Sequence, residues 1–354
     1  MSKLEQLRNA LQAQGTSAII ITNAQNRRYL TGFTGSAGTV VVTNTRALLL
    51  VDFRYTQQAT EQSKTFEVHE IDRSRLYETI QEILEQESIQ TVGFEQHHVT
   101  YYTYQLMANK LTATLKPLST IVEDLRMIKT PEEIEIMKKA AWISDEAFKH
   151  ILTFIKPGVT EIEIANELES HMRKNGATGA AFDMIVASGH RSALPHGVAS
   201  SKIIEQGDML TLDFGAYYEG YRSDMTRTIS VGEPPEQLKE IYQIVYDSLQ
   251  HALSNMKAGI TGRQADSYTR DYITTKGYGE NYGHGAGHGI GLDIHENIFM
   301  STVCEDVLEE NMVLTVEPGI YVPQVGGVRI EDDVIITKDG VEIITHSPKE
   351  LIIL

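Results

Sequence analysis

Four carboxylates and one imidazole in the second half of the chain have the types and spacing of a metal-binding set. Asp213 and Asp224 bracket the stretch "LDFGAYYEGYRSD". With Glu219-Gly220 as a hairpin turn, Asp213 lies opposite Thr226 and Asp224 opposite Gly215. The two aspartates are then diagonal neighbours on one face, about 7–8 Å apart. Aspartate is disfavoured inside strands, and two on one face repel; a cation between them removes both objections. The flanks "TLDFG" and "DMTRT" are too apolar for a pair of solvated edge residues. Farther on, Glu317 in "LTVEPGIYV" sits in an apolar strand just before Pro318-Gly319. Glu331 in "GVRIEDDV" follows Arg329 by two, which puts both on one face. A buried glutamate needs a partner. With His288 these side chains make an oxygen-rich set with one nitrogen and no thiolate. Such a set suits Mn2+, Co2+ or Fe2+ better than a structural zinc. Four negative charges approximately match two divalent cations. Two metals about 3.5–4 Å apart can hold a hydroxide between them and polarise a carbonyl.

His288 belongs to "NYGHGAGHGIGLDIHE" (Asn281–Glu296), where every second residue from Gly283 to Gly291 is glycine. A helix is a poor fit, because each interior glycine costs about 1 kcal/mol relative to alanine. A strand would gather the glycines on one bare face, against which another backbone or a ligand can approach closely. His284 and His288 would share the other face, about 13 Å apart if the strand is straight. One metal cannot take both at that distance, so the two histidines have different tasks.

The elements that must position these residues fall into two groups. The first third alternates, with strands at Ser17–Thr22, Thr39–Thr43, Ala47–Val51, Phe66–Ile71 and Thr91–Phe94 and helices at Arg54–Ser63 and Ser74–Glu87. That is an α/β domain. "GFTGSAG" (Gly32–Gly38) lacks both the dinucleotide spacing and a P-loop lysine, and reads as a tight connection. The character changes over Ser119–Thr130. Thr130-Pro131-Glu132-Glu133 is a capping box with proline at the first helical position, and Thr160 with Glu163 repeats the box. Helical patterns follow at Gln237–Met256 and Arg263–Lys276. Strand-like stretches occupy Met209–Tyr217, Tyr221–Val231, Met312–Val322, Val328–Thr337 and Val341–Thr345. The second domain is therefore α+β on an antiparallel sheet, and the boundary falls at 1–124 and 125–354.

Bulk composition narrows the function classes. The chain has 354 residues, 41% of them hydrophobic, and a formal net charge of −17. That balance disfavours nucleic acid, which needs clustered Lys and Arg, and equally an anionic membrane surface. Cys304 is the sole cysteine, which rules out an intramolecular disulfide and fits a reducing cytoplasm. "MSKLEQLRNA" has no apolar secretory core, and no apolar run is long enough to span a bilayer.

The motifs "LDFG", "SDMTRT", "GHGIGLDIHE", "TVEPGIYV" and "VRIEDDV" together resemble those of the pita-bread metallopeptidases, which include Xaa-Pro aminopeptidase and Xaa-Pro dipeptidase (prolidase). The resemblance covers almost the whole chain. "YLTGFTGSAG" and "DFRYTQQA" resemble the N-terminal domain of the cytosolic Xaa-Pro aminopeptidases, a domain that helps to shape the active site and the homodimer. It implies a pita-bread catalytic domain and two divalent ions per subunit, Mn2+ foremost with Co2+, Fe2+ or Zn2+ as alternatives. By the same resemblance Asp213 binds one metal, Asp224 and Glu331 bridge both, and His288 with Glu317 bind the second. His196 of "LPHG", His284 and His295 contact substrate and stabilise the tetrahedral intermediate. Tyr321 and Arg329 match positions just behind the ligands.

The reaction implied is hydrolysis of the bond between an N-terminal residue and proline in peptides. Glu317 would shuttle the proton, His295 and His196 would meet the developing oxyanion or the scissile nitrogen, and His284 would line the proline side. The chain departs from the family at Asn297-Ile298-Phe299, where many relatives have proline after the His-Glu pair. "ENIFMS" also lacks the arginine with which some dipeptidases hold a substrate carboxylate. The missing arginine favours aminopeptidase over strict dipeptidase. A metal-free amidinohydrolase of this fold, or a non-catalytic interaction protein, would have lost acidic ligands, and all are present. Methionine aminopeptidase fits less well, given the extra N-terminal domain and the "LPHG" and "DIHE" pairing.

Overall fold

The computed structural model describes residues 1–354, which divide into two compact units, Met1–Arg126 and Met127–Leu354. The first is built on a six-stranded sheet of β1 (Ala18–Ile21), β2 (Thr39–Thr43), β3 (Ala47–Val51), β4 (Glu67–Glu70), β5 (Thr91–Glu95) and β6 (Thr114–Leu118), in the order β4-β3-β2-β1-β5-β6. β1 to β3 are antiparallel neighbours, whereas β4, β5 and β6 join in parallel. β1 to β3 read as continuous apolar runs because both faces of the sheet centre are buried. Helices α1 (Lys3–Ala13), α2 (Ala24–Thr31), α3 (Thr56–Gln62), α4 (Leu76–Gln86), α5 (Tyr101–Lys110) and the single turn α6 (Glu123–Met127) complete the succession. The sequence pattern announces α3 and α4 but not α1, α2 or α5. α2 is mostly polar in sequence, and its Arg27 is buried in donating to the Gly35 and Gly38 carbonyls at 2.8 and 2.9 Å. Those bonds hold Gly32–Gly38 as the tight link between α2 and β2.

The second unit opens with α7 (Pro131–Ile151) and α8 (Glu161–Lys174), whose capping boxes at Thr130/Glu133 and Thr160/Glu163 both form. Both helices pack on a sheet of β8 (Ile185–Ser188), β9 (Met209–Phe214) and β12 (Met225–Ser230); short β7 (Gly179–Ala180), β10 (Ala216–Tyr218) and β11 (Tyr221–Arg222) extend the hairpin. Its register pairs Asp213 with Thr226 and Tyr217 with Arg222, so Asp224 falls opposite Gly215 and Glu219-Gly220 form the turn. Both turn residues have positive φ, 46° and 86°, as a tight two-residue hairpin demands. Leu212, Phe214, Met225 and Ile229 point into the core with α7 and α8. By period-two alternation Asp213, Tyr217, Arg222, Asp224 and Thr226 share the other face.

Helices α9 (Glu236–Asn255) and α10 (Gly262–Thr275) share a core with a five-stranded sheet, β14-β13-β15-β18-β19. Its members are β13 (Gly287–Gly289), β14 (Glu296–Met300), β15 (Val313–Val316), β18 (Asp332–Ile336) and β19 (Val341–Ile343), with the hairpin β16 (Gly319–Val322) and β17 (Gly326–Arg329) inserted.

The glycine-rich segment departs from the expected strand. Only Gly287–Gly289 is extended, and its pairing with β14 slips between His288 and Gly289. The close approach is real, however. A Cβ on Gly287 would lie 2.0 Å from the Thr315 carbonyl oxygen, and one on Gly289 2.4 Å from that of Asn297.

Candidate metal centre and active site

Every residue of the expected ligand set lines one cavity of about 440 Å³ in the second unit. Asp213 and Asp224 reach it from the hairpin, with side chains 11% and 8% exposed. Glu317 follows β15 rather than sitting inside it, its N–H donating to the Ala286 carbonyl at 2.8 Å. Glu331 lies between β17 and β18, where β17 ends at Arg329. One ligand atom each from Asp224, His288 and Glu331 lie within 4.8 Å of one another. His288 Nε2 is 3.8 Å from Asp224 Oδ2 and 3.6 Å from Glu317 Oε1.

The tautomer of His288 follows from its other nitrogen. Nδ1 lies 3.0 Å from the Gly289 carbonyl oxygen, which can only accept, so Nδ1 carries the proton. Nε2 then turns its lone pair toward the carboxylates, as a metal ligand does. Burial pushes this imidazole down to about 4, so it is neutral at physiological pH. His284 obeys the same logic. Its Nδ1 donates to the Gly285 carbonyl at 2.8 Å, so Nε2 accepts from the Tyr321 hydroxyl at 2.9 Å. Burial, reinforced by Arg329, lowers it to about 4. His284 and His288 do not stand apart as a straight strand requires. Both face Glu317, His284 Nδ1 at 3.9 Å. The strand begins only at Gly287, and the chain bends at His284 and Ala286 before it.

The carboxylates cannot all be charged without a cation. Burial, then Glu331 and Asp213, hold Asp224 well above the usual range. Burial with Glu317 and Asp213 does the same to Glu331, and burial raises Glu317 to about 7. Asp213 Oδ1 and Asp224 Oδ1 are buried with no hydrogen-bond partner. Orphaned buried oxygens are rare in folded proteins, and here they point into one acidic cavity. Divalent cations would satisfy them and return the carboxyls to their ionised form. The donor set fits.

Arg329 ties Asp213 to the loop of His196 and, through Tyr321, to His284. It donates to Asp213 Oδ2 at 2.5 Å, Thr226 Oγ1 at 3.0 Å, Tyr321 Oη at 2.8 Å and the Pro195 carbonyl at 3.3 Å. The last bond anchors the loop that carries exposed His196 into the cavity. Tyr321 Oη, accepting from Arg329, donates its own hydrogen bond to His284 Nε2. His295 also lines the cavity, its ring edge-on to His288 at 4.4 Å between centroids. Burial, then His196, lowers its pKa.

Several supporting residues escape the sequence pattern. Thr226 donates to Glu331 Oε2 at 2.5 Å, and Asp333 Oδ2 accepts the Asp224 N–H at 2.9 Å. Thr315 Oγ1 accepts the His288 N–H at 3.1 Å and donates to Glu317 at 3.3 Å. Each stands two residues from an expected ligand, a spacing that sheet periodicity could have flagged. Lys129 and Glu296 form a fully buried ion pair at 3.0 Å beside His295, joined across 167 residues with no local signal.

Comparison with known proteins places this arrangement. Residues 135–338 match metallopeptidase family M24, and residues 3–128 match the creatinase/prolidase N-terminal domain. An Xaa-Pro dipeptidase of Pyrococcus furiosus is 41% identical over 352 residues, 99% of each chain. Among solved structures, an Xaa-Pro dipeptidase from Bacillus anthracis is 54% identical, covers 99% of both chains and superposes with a TM-score of 0.98. An X-Pro aminopeptidase from Thermotoga maritima is 41% identical over the full length of both chains, with a TM-score of 0.91. No helix is long and apolar enough to cross a membrane. The chain is thus a hydrolase of metallopeptidase family M24, with the pita-bread fold in its second unit and a creatinase/prolidase domain in its first.

Proposed function

We propose that this cavity cleaves the peptide bond between an N-terminal residue and proline, acting as an Xaa-Pro aminopeptidase. Asp213, Asp224, His288, Glu317 and Glu331 would hold two divalent ions, with Mn2+ the foremost choice. The observation that carries the reading is the convergence of two partnerless carboxylate oxygens and an outward imidazole lone pair in one acidic cavity. The bound ions would supply Lewis acidity toward the scissile carbonyl and an activated water. Among the ligands Glu317 keeps 19% of its side chain open, so it is the one placed to carry a proton toward the leaving nitrogen. His295 and His196 offer hydrogen bonds where charge develops. His284, fixed by Tyr321, forms a wall on the proline side. We further propose a cytoplasmic homodimer, checked by light scattering.

Chain length beyond proline is the finer question. Arg329 is wholly engaged by Asp213, Thr226, Tyr321 and Pro195, so the cavity offers no free guanidinium for a dipeptide's carboxylate. Half-exposed Phe299 lines the cavity among the residues after Glu296, where an arginine is missing. Both support longer substrates. The dipeptidase reading is favoured by the names of the Bacillus anthracis and Pyrococcus furiosus relatives. Kinetics on Ala-Pro, Ala-Pro-Ala and Ala-Ala-Ala with Mn2+ separate them. The aminopeptidase reading expects higher kcat/KM for Ala-Pro-Ala than for Ala-Pro and almost none for Ala-Ala-Ala. Turnover confined to Ala-Pro would leave the dipeptidase, and equal turnover of Ala-Ala-Ala would reject the proline requirement.

A further inference from the structure

A second cavity, of about 760 Å³, adjoins the first and shares Phe182, Asp183, Val198 and Ile294 with it. Arg222 lines this second cavity. It stands on the same hairpin face as Asp213 and Asp224, two residues from Asp224, or about 7 Å of extended backbone. The opposite face of the hairpin is committed to α7, where Ser223 Oγ bonds Ser144 Oγ at 2.8 Å and Tyr221 bonds Glu133 at 2.7 Å. Arg222 is therefore directed to the cavity side. Its guanidinium lies over the Tyr217 ring at 4.8 Å, and its Nε reaches the Leu292 carbonyl at 3.3 Å. It forms no ion pair, in contrast to Arg173, the other arginine of this cavity, which pairs with Glu169 at 2.8 Å. A half-buried guanidinium stacked on tyrosine, tethered through Nε and with both terminal nitrogens left over, is a preorganised fork for a carboxylate.

We infer that Arg222 is a specificity-determining residue that receives a carboxylate carried by the substrate, in a subsite one strand pair beyond the metal centre. The inference rests on the peptidase reading above. Two sources present this chemistry at that range: an acidic side chain on the N-terminal residue, or the free C-terminus of a peptide extended past proline.

The test measures kcat/KM for wild type, Arg222→Met and Arg222→Lys on three peptides, with metal content checked for each protein. Glu-Pro-Ala amide carries only the side-chain carboxylate, Ala-Pro-Ala only the terminal one, and Ala-Pro-Ala amide neither. Arg222→Met is expected to lose about 10–100-fold on one acidic peptide, the scale of a charge-assisted hydrogen bond, and less than about twofold on the neutral one. Which acidic peptide suffers identifies the source, and Arg222→Lys should restore part of the loss. Equal losses on all three would mean that Arg222 only braces the loop through Leu292, and no loss would mean that it faces solvent idly; either overturns the inference. If wild type cuts none of the three, the peptidase reading fails separately. Calorimetric binding of the same peptides then decides, with selective weakening in Arg222→Met supporting the subsite and uniform binding rejecting it.

Discussion

The hairpin that carries Asp213 and Asp224 and the glycine-rich segment that carries His284 and His288 both deliver ligand-type side chains to one cavity, by opposite means. The hairpin is regular. Its turn sets the register, one face is tied to α7 and α8, and the carboxylates emerge on the other face with period two. The glycine segment is irregular. Its backbone is pressed against Thr315 and Asn297, its pairing slips, and its histidines turn together onto Glu317. The first region concentrates carboxylates, and the second supplies the neutral nitrogen lone pair of His288. A regular sheet can present like charges side by side only where a cation is available, whereas packed glycines let a backbone approach its neighbours closely.

Substitutions in the cavity should have graded effects. The largest effect should come from the two carboxylates expected to bridge the ions. Asp224→Asn and Glu331→Gln are expected to lower kcat/KM on the order of 10³-fold or more and to deplete bound metal, measured by kinetics and elemental analysis. A variant with full metal and near-normal activity would remove that residue from the ligand set. Next, His288→Ala should lose metal, whereas His295→Ala should keep it while kcat falls about 10²-fold, as for a lost transition-state hydrogen bond. Equal metal loss in both would erase the distinction between the two histidines.

Thr226→Val tests the hairpin from behind its ligands. Removing the hydroxyl that holds Glu331 and accepts from Arg329 should cost about 10–100-fold in activity or metal affinity, with the fold intact by circular dichroism. Gly287→Ala tests the other region. Its Cβ would meet the Thr315 carbonyl oxygen at 2.0 Å, so unfolding in urea should show a loss of about 1–3 kcal/mol. Unchanged stability would mean that the segment has room to relax.

The histidines and the carboxylates of the cavity also titrate oppositely. His284 and His288, lowered to about 4, contribute stability that is lost as pH falls below their unfolded value near 6.5. Glu317, raised to about 7, and Asp224 and Glu331, also raised, do the reverse: the native state holds more protons, so stability falls as pH rises above the unfolded values. Above about pH 6.5 only the carboxylates still act, so the metal-free protein should lose stability toward pH 8. Mn2+ should therefore raise Tm more at about pH 8 than at pH 6. A larger rise at the lower pH would contradict the protonated state of the carboxylates.

How far the sequence reveals this site follows the same contrast. Asp213, Asp224 and their register were legible because Glu219-Gly220 is a turn signal and the strand period is two. The capping boxes at Thr130 and Thr160 were legible because they are local. The path of the chain between His284 and His288 was not, because glycine leaves φ and ψ to be set by the neighbours that pack on it. Nor was the buried pair of Lys129 with Glu296, whose partners meet only in the folded chain.

The proposed site requires the two regions to close together around metal. Protein stripped with chelator, titrated with Mn2+ and followed by calorimetry and elemental analysis, tests it most directly. About two ions should bind per chain, with uptake cut sharply in Asp224→Asn. No uptake by wild type, or unchanged uptake by Asp224→Asn, would contradict it.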